Sequence, residues 1–171
     1  MKNIIETQRL NLRLLNKTDV KMIFKLLNEP TFIENIGDKG IKNLHDALNY
    51  IEQGPLAMYQ ELGFCLYCCQ LKGVEKTIGI SGLIKRDGID YPEVGFAFLQ
   101  EYCHQGFGYE SANVVLTYAK EKLNIKLLNA ICNPSNIGSI NLLHKLGFTY
   151  QGNIKLDNKE EEVKLFEIQL I

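Results

Sequence analysis

The segment from 136 to 148 reads Asn136-Ile-Gly-Ser139-Ile-Asn-Leu142-Leu-His-Lys-Leu-Gly147-Phe148, and an earlier segment reads Gln105-Gly106-Phe107-Gly108-Tyr109. A glycine-rich turn that opens a helix lets backbone N–H groups converge on an anion at the positive end of the helix dipole. The later segment is typical of a short capped helix that ends in Gly-Phe, and it would form a second wall beside that turn. Together the two segments predict a site for an extended cofactor that carries phosphates.

The glycine turn can also be a plain helix entry without a ligand, and this alternative stays open. A Rossmann dinucleotide site needs a third glycine, where this chain has Ser111, and a place near the start of a βαβ repeat, whereas much of the chain precedes this turn. A Walker A loop needs Gly-Lys-Ser/Thr, which the sequence does not contain. The turn therefore matches neither of these two nucleotide-binding motifs.

Composition predicts an ordinary globular chain. Its 171 residues suit a single domain over 1–171. With 19 Lys and Arg against 20 Asp and Glu, the net charge is -1, so we expect no nucleic-acid partner bound by bulk charge. No apolar run approaches the roughly 18 residues of a membrane span, and the first residues lack the apolar core of a secretory signal. We therefore expect no membrane partner and a cytoplasmic location.

The five cysteines are expected to be reduced. Their number is odd and no secretory signal precedes them, which favours a reducing compartment. Cys65-Leu-Tyr-Cys68 formally matches C-x-x-C, but the segment reads as a strand, in which residues i and i+3 point to opposite faces. We predict buried thiols and no metal site.

Hydrophobic periodicity predicts an α+β domain with a mixed, mostly antiparallel sheet and four flanking helices. The strands are expected at 5–15, 64–71, 77–84, 93–99, 127–132, 148–152 and 163–170. The helices are expected at 20–27 behind a cap at Asn16, and at 44–51, 108–123 and 139–146. The strand–helix–strand segment from 93 to 132 should be a parallel, right-handed unit. The stretch 31–42 is expected to be a loop, Gly54-Pro55 to end the second helix, and 157–162 to be a charged turn.

Five motifs in register resemble the GNAT acetyltransferase superfamily, and more narrowly its ribosomal-protein N-terminal acetyltransferase (RimJ/RimL-like) branch. The motifs run from about residue 5 to residue 170. They are Thr7-Gln-Arg9-Leu-Asn-Leu-Arg13, Ile78-Gly-Ile-Ser-Gly-Leu83, Glu93-Val-Gly-Phe96, Gln105-x-x-Gly108, and Asn136-x-x-Ser139 followed by Leu146-Gly147-Phe148. At position 110 this chain has Glu110, where the family pattern has a small residue.

The resemblance implies a sheet that splays between the strand from Glu93 and the strand ending at Cys132, with acetyl-CoA as the donor. The backbone amides from Gln105 to Glu110 would hold the pyrophosphate. The backbone of Phe98 and Leu99, at the end of the strand from Glu93, would pair with the pantetheine arm like an added strand, and Asn136 and Ser139 would contact the arm and the adenosine-side phosphates. The residues implied for the donor are Phe98, Leu99, Gln105, Gly106, Phe107, Gly108, Tyr109, Glu110, Asn136 and Ser139. Ser111 would touch phosphate or cap the helix.

Acetyl transfer to an amine needs a base, a polarised carbonyl and a proton for the leaving thiolate. Glu93 is the candidate base, with a surface carboxylate of no catalytic role as the alternative. Many family members have a tyrosine where this chain has Leu143, so Tyr109 or water is the candidate acid. A backbone N–H near Phe98 would polarise the carbonyl. Direct transfer in a ternary complex is preferred, because no nucleophile motif is present.

The acceptor is expected to enter over the first two helices and the stretch 31–42. Protein N-termini, polyamines or aminoglycosides, and small amino-sugar or amino-acid amines all stay open, as do a monomer and a homodimer. The non-enzyme alternative is a CoA-binding regulatory module that has lost catalysis, which Leu143 favours.

Overall fold

The structure, a computed structural model, describes residues 3–156 and 161–171. Within these residues, eight strands form one mixed sheet in the order β1-β2-β3-β4-β5-β6-β8-β7. The strands are β1 (Asn3–Glu6), β2 (Leu10–Arg13), β3 (Leu66–Leu71), β4 (Thr77–Ile84), β5 (Glu93–Phe98), β6 (Leu127–Cys132), β7 (Thr149–Lys155) and β8 (Glu162–Gln169). All neighbouring pairs are antiparallel except β5 and β6, which are parallel. The predicted fold class is confirmed, and the predicted turn at 157–162 lies mostly outside the described residues.

The predicted first strand is two strands. Thr7 follows β1, and its backbone N–H donates to the carbonyl of Leu10, while the N–H of Leu10 donates to Oγ1 of Thr7. These bonds close a turn over Thr7–Arg9 and fold β2 back onto β1. The alternation of apolar and polar residues correctly indicated strand structure, but the side-chain hydrogen bond of Thr7 stabilises a turn that divides the strand in two.

The helices are more numerous than predicted. They are α1 (Val20–Leu27), α2 (Pro30–Ile36), α3 (Leu44–Ile51), α4 (Ala57–Leu62), α5 (Phe107–Leu123) and α6 (Ile137–Lys145). The expected loop contains α2, which starts with Pro30 at its first turn, a position that suits proline. Gly54-Pro55 does not end α3, because a π-helical turn (Glu52–Leu56) accommodates the proline and continues into α4. With α3 and α4 joined in this way, five helical segments flank the sheet in the described part of the chain instead of four.

The entry to α1 follows the sequence prediction closely. Asn16 and Asp19 form a reciprocal capping box around a short 3-10 turn (Lys17–Asp19). Asp19 also accepts two hydrogen bonds from Arg13, at 2.8 and 2.9 Å, and both side chains are almost fully buried. This ion pair fixes the start of α1 against β2.

Two apolar clusters cover the two faces of the sheet. One contains Tyr67, Val94 and the inner face of α5, and the other contains Cys68, Ile80 and the inner faces of α1–α3. Cys65 belongs to the first cluster and Cys68 to the second, so they lie on opposite faces, as predicted. All five cysteines are free thiols. Within the described residues, no helix combines the length and the apolar character needed to span a membrane.

Candidate active site

The sheet opens between β5 and β6. Among the described residues, the two strands share one register pair, Glu93 with Asn129, and the N–H of Asn129 donates to the carbonyl of Pro92 at 2.9 Å. The rest of β5 pairs with β4, and the rest of β6 pairs with β8. The strands therefore diverge toward their carboxyl ends and leave a gap with exposed backbone edges.

The direction of the backbone groups shows which residues line this gap. The N–H of Leu99 donates to the carbonyl of Ile78 on β4 at 3.0 Å, and successive residues of a strand alternate in direction. The N–H and C=O groups of Phe96 and Phe98 therefore point away from β4 into the gap. By the same alternation, Asn129 and Ile131 of β6 face the gap from the other side.

Two corrections follow for the predicted donor contacts. Leu99 is 3% exposed and its N–H is already bonded to β4, so it does not offer the backbone pairing that the resemblance implied. The backbone groups of Phe96 do point into the gap, although this residue was not among the predicted donor contacts. The strict alternation of β5 is the signal that identifies Phe96, once one hydrogen bond of the strand is known.

The glycine turn leads from the end of β5 into α5. Gly106 has a φ of 85°, which favours glycine, and it is the N-cap residue of the helix. The first helical bond runs from the N–H of Glu110 to the carbonyl of Gly106 at 3.0 Å. The preceding N–H groups, those of Phe107, Gly108 and Tyr109, have no acceptor within the helix and are available to bind an anion.

Gly108 lets α6 approach this turn. A Cβ built on Gly108 would lie 3.0 Å from Cδ1 of Leu142, which is closer than side chains normally approach. Nearby, the ammonium group of Lys145 lies 4.4 Å from the ring centroid of Tyr109. A surface cavity of about 460 Å³ lies between these residues and Arg9 of the β1–β2 turn. The two segments that the sequence singled out are thus neighbours in space.

Asn136 and Ser139 lie together at the start of α6. The side-chain oxygen of Asn136 caps the helix by accepting from the N–H of Ser139 at 3.1 Å. The adjacent thiol of Cys132 lies 3.7 Å from the carbonyl of Asn136. Burial raises the pKa of Cys132 to about 11, although Lys164 and Ser139 act to lower it. This thiol is therefore protonated at neutral pH and is a weak nucleophile.

Glu93 is not the surface carboxylate of the alternative interpretation. Its side chain is 2% exposed, and Nε of Arg86 donates to its Oε1 at 2.7 Å. Burial raises the pKa of Glu93 above its ordinary value, although Arg86 and Lys85 act to lower it. Beside it, Asn129 is 4% exposed, and its Oδ1 has no hydrogen-bond partner within the part of the chain described. The two residues are register partners and each alternates with residues of the cluster on the α5 side, so both side chains lie on the opposite face of the sheet, where the gap closes.

The remaining predicted residues have clear positions. Ser111 is fully buried and its hydroxyl donates to the carbonyl of Gly108 at 3.2 Å, so it stabilises the first turn of α5 and does not face a phosphate. The ring of Tyr109 lies against Lys145 at the cavity. Leu143 is 2% exposed and belongs to the core. Gln105 lies at the turn, where its side chain donates to the carbonyl of Glu101.

Helix α2 bridges the two arms of the gap. At one end, Oε2 of Glu29 accepts from the N–H of Gln100, just after β5, at 2.9 Å. At the other end, Nδ2 of Asn133, just after β6, donates to the carbonyl of Glu34 at 3.2 Å. No sequence pattern indicated this bridge, because α2 has one buried apolar residue, Phe32, and no amphipathic period. It forms a wall on the side where the acceptor was expected.

A parallel strand pair that splays beside a helix N-terminus is the arrangement that the resemblance implied. The family model for the acetyltransferase (GNAT) domain matches residues 9–149. The chain therefore belongs to the GNAT acetyltransferase family, whose members are acetyl-CoA-dependent enzymes, and the predicted family is confirmed.

Sequence relatives and solved structures agree with this assignment. The uncharacterized N-acetyltransferase YoaA of Bacillus subtilis is 26% identical over 155 residues, which cover 89% of this chain and 86% of YoaA. The RimL ribosomal-protein acetyltransferase in complex with coenzyme A superposes with a TM-score of 0.83 at 15% identity, covering 98% of each chain. The microcin C7 self-immunity acetyltransferase MccE, in complex with acetyl-CoA and AMP, gives a TM-score of 0.78 at 16% identity, covering 95% of this chain and 93% of MccE. At these identities the two superpositions show a shared fold.

Proposed function

We propose that this protein is an N-acetyltransferase that moves the acetyl group of acetyl-CoA directly to a primary amine in a ternary complex. The observation that carries the proposal is the gap beyond the Glu93–Asn129 pair, whose free backbone edge leads to the N-terminus of α5. A pantetheine arm is a chain of amides and pairs naturally with such an edge. A diphosphate at the other end of that arm matches the available N–H groups of the turn.

Each part of the site has a role in this reaction. The N–H groups of Phe107, Gly108 and Tyr109 bind the diphosphate, and the backbones of Phe96 and Phe98 bind the arm. Asn136 and Ser139 flank the arm from the start of α6. Bound acetyl-CoA supplies an activated acetyl group, and a backbone N–H of β5 polarises its carbonyl.

Proton transfer is assigned to Glu93 and to water. Glu93 faces the side of the sheet covered by α1–α3, because it alternates with Val94, which packs on the α5 side. It accepts the proton of the incoming ammonium group. The nitrogen loses a second proton when it attacks the carbonyl, and water passes this proton to the departing thiolate, since Leu143 cannot donate one and Tyr109 lies against Lys145.

The acceptor is a protein N-terminus or a small-molecule amine. The names of two structural neighbours denote these two kinds of acceptor. RimL is named as a ribosomal-protein acetyltransferase. A chimera of the spermidine N-acetyltransferase SpeG, which gives a TM-score of 0.76 at 18% identity, is named for a small-molecule amine. The bridge of α2 across the gap offers a wall that either kind of acceptor can contact.

A panel of amines tests the activity. We expect thiol release from acetyl-CoA with at least one of N-terminal peptides, spermidine, aminoglycosides and amino-acid amides, measured with a thiol reagent and confirmed by the mass of the acetylated product. A buried leucine at 143 favours the second candidate, a CoA-binding module without catalysis. Tight binding of CoA without thiol release for any amine would favour that module instead.

A further inference from the structure

The carboxylate of Glu110 holds the β1–β2 turn through three hydrogen bonds. Its Oε1 accepts from Oγ1 of Thr7 at 2.6 Å and from the backbone N–H of Arg9 at 2.8 Å. Its Oε2 accepts from Nε of Arg9 at 2.6 Å. We call Thr7, Arg9 and Glu110 the latch, because they join segments that are about a hundred residues apart in the chain.

Arg9 also contacts the glycine turn itself. Its Nη1 donates to the carbonyl of Gln105 at 3.0 Å, and its guanidinium carbon lies 4.2 Å from the ring centroid of Phe107. A Cβ on Gly106 would lie 3.3 Å from its Nη2. One side chain therefore contacts the beginning, the middle and, through Glu110, the end of the turn that presents the N–H groups.

The negative charge of Glu110 needs compensation if a diphosphate is to bind beside it. Glu110 lies in the first turn of α5, where the helix dipole favours a negative group, and a diphosphate would bind at the same end. Burial raises the pKa of Glu110, but the hydrogen bonds from Thr7 and Arg9 lower that pKa by more, so the side chain is ionised at neutral pH. An uncompensated carboxylate here would repel the diphosphate, and Arg9 neutralises it.

We propose that Arg9 and Glu110 are positioning residues for the donor: the latch sets the turn 105–110 in its anion-binding geometry, and Arg9 cancels the charge of Glu110. This role rests on the proposed binding of acetyl-CoA at the turn. The ion pair accommodates a carboxylate where the family pattern has a small residue. It also gives a role to the arginine of the first motif, which lies outside the gap.

A double-mutant cycle on the latch should show a characteristic pattern of losses. Arg9→Ala leaves a bare carboxylate beside the diphosphate, so we expect the dissociation constant of acetyl-CoA to rise by at least about tenfold. Glu110→Ala loosens the turn without leaving a like charge, and a rise of about threefold is expected. The double variant should have the same dissociation constant for acetyl-CoA as Glu110→Ala. It should therefore bind acetyl-CoA more tightly than Arg9→Ala alone.

Calorimetry, kinetics and salt dependence provide the readouts. The losses should appear in the dissociation constant and in KM for acetyl-CoA, and not in kcat at saturating donor. The penalty of Arg9→Ala should shrink as ionic strength rises, because salt screens the repulsion. The matched control is Lys72→Ala, which breaks the Lys72–Glu6 pair, 3.2 Å long, beside the same hairpin and should leave the dissociation constant unchanged.

Three outcomes would contradict the proposed role of the latch. In the first, Arg9→Ala binds acetyl-CoA as tightly as the wild type. In the second, the losses of binding free energy in the two single variants add up in the double variant. In the third, Glu110→Ala binds acetyl-CoA more tightly than the wild type. If Arg9→Ala does not fold, Arg9→Lys and Thr7→Val change the same contacts by less, and each should weaken binding severalfold; unchanged affinity in both would count against the proposal. A wild-type protein that binds no acetyl-CoA would instead refute the proposed function.

Discussion

Replacing Gly108 by phenylalanine abolishes the stabilisation of the protein by acetyl-CoA. For the wild type, a donor concentration of about one hundred times the dissociation constant should raise Tm by about 5–10 °C. In the variant the new side chain has no room, because even a Cβ at Gly108 would lie 3.0 Å from Leu142. The start of α5 must move away from α6, and the N–H groups of the turn lose their common direction. Thermal unfolding with and without acetyl-CoA measures the effect.

Two further variants separate this effect from general damage. Gly108→Ala should keep part of the shift, since Cδ1 of Leu142 is the flexible end of a side chain and can yield by a few tenths of an ångström. Gly54→Phe introduces the same ring where a Cβ would meet no atom within 4 Å, and it should keep the full shift. NAD should shift none of these proteins. A full acetyl-CoA shift in a folded Gly108→Phe variant would mean that the diphosphate binds elsewhere.

Local patterns predicted the elements that build the site. Strands β4 and β6 begin and end where the sequence placed them, because each is a buried run bounded by turn residues. The capping box of Asn16 and Asp19 and the long helix α5 were equally readable, since caps and a 3.6-residue period depend on neighbouring residues alone. The motifs supplied the rest of the site through resemblance.

The features that sequence could not reveal depend on distant contacts. The latch joins Arg9 to Glu110, and the sequence showed Glu110 only as a departure from a pattern. Helix α2 bonds to both arms of the gap through Glu29 and Asn133, although its own composition has no helical period. The burial of Glu93 likewise follows from the packing of β5 between β4 and Asn129, which no local pattern encodes.

The free energy that a catalytic base must supply depends on the pKa of the acceptor amine. Deprotonating an α-amine with a pKa of about 7.8 at pH 7 costs about 1 kcal/mol, whereas a lysine amine with a pKa of about 10.4 costs about 4.6 kcal/mol. A carboxylate with a raised pKa is a better proton acceptor than an exposed one, and burial provides that increase at Glu93. The pair with Arg86 keeps the buried charge from being isolated.

With an acceptor amine of high pKa, such as a polyamine, Glu93→Gln should lower kcat by at least about a hundredfold at neutral pH, because the variant has no group to accept the proton of the amine, and with an α-amine the loss should be smaller. The amide has the shape of the carboxylate and can still accept from Arg86, so Tm and the dissociation constant of acetyl-CoA should stay close to those of the wild type. Glu6→Gln, which removes a charge from the exposed pair with Lys72, is the matched control and should keep full kcat.

The pH dependence of wild type and Glu93→Gln identifies the proton acceptor. The pKa of Glu93 is raised, so wild-type kcat should begin to fall at a higher pH than an ordinary carboxylate would give, by tenfold per pH unit below that pKa. Protonated Glu93 is no better than glutamine, so the ratio of wild-type to variant kcat should shrink toward one as pH falls. Taking this ratio cancels the titration of the acceptor amine, which both proteins share. A ratio that stays constant with pH would assign Glu93 to positioning, and a ratio near one at neutral pH would leave proton removal to water alone.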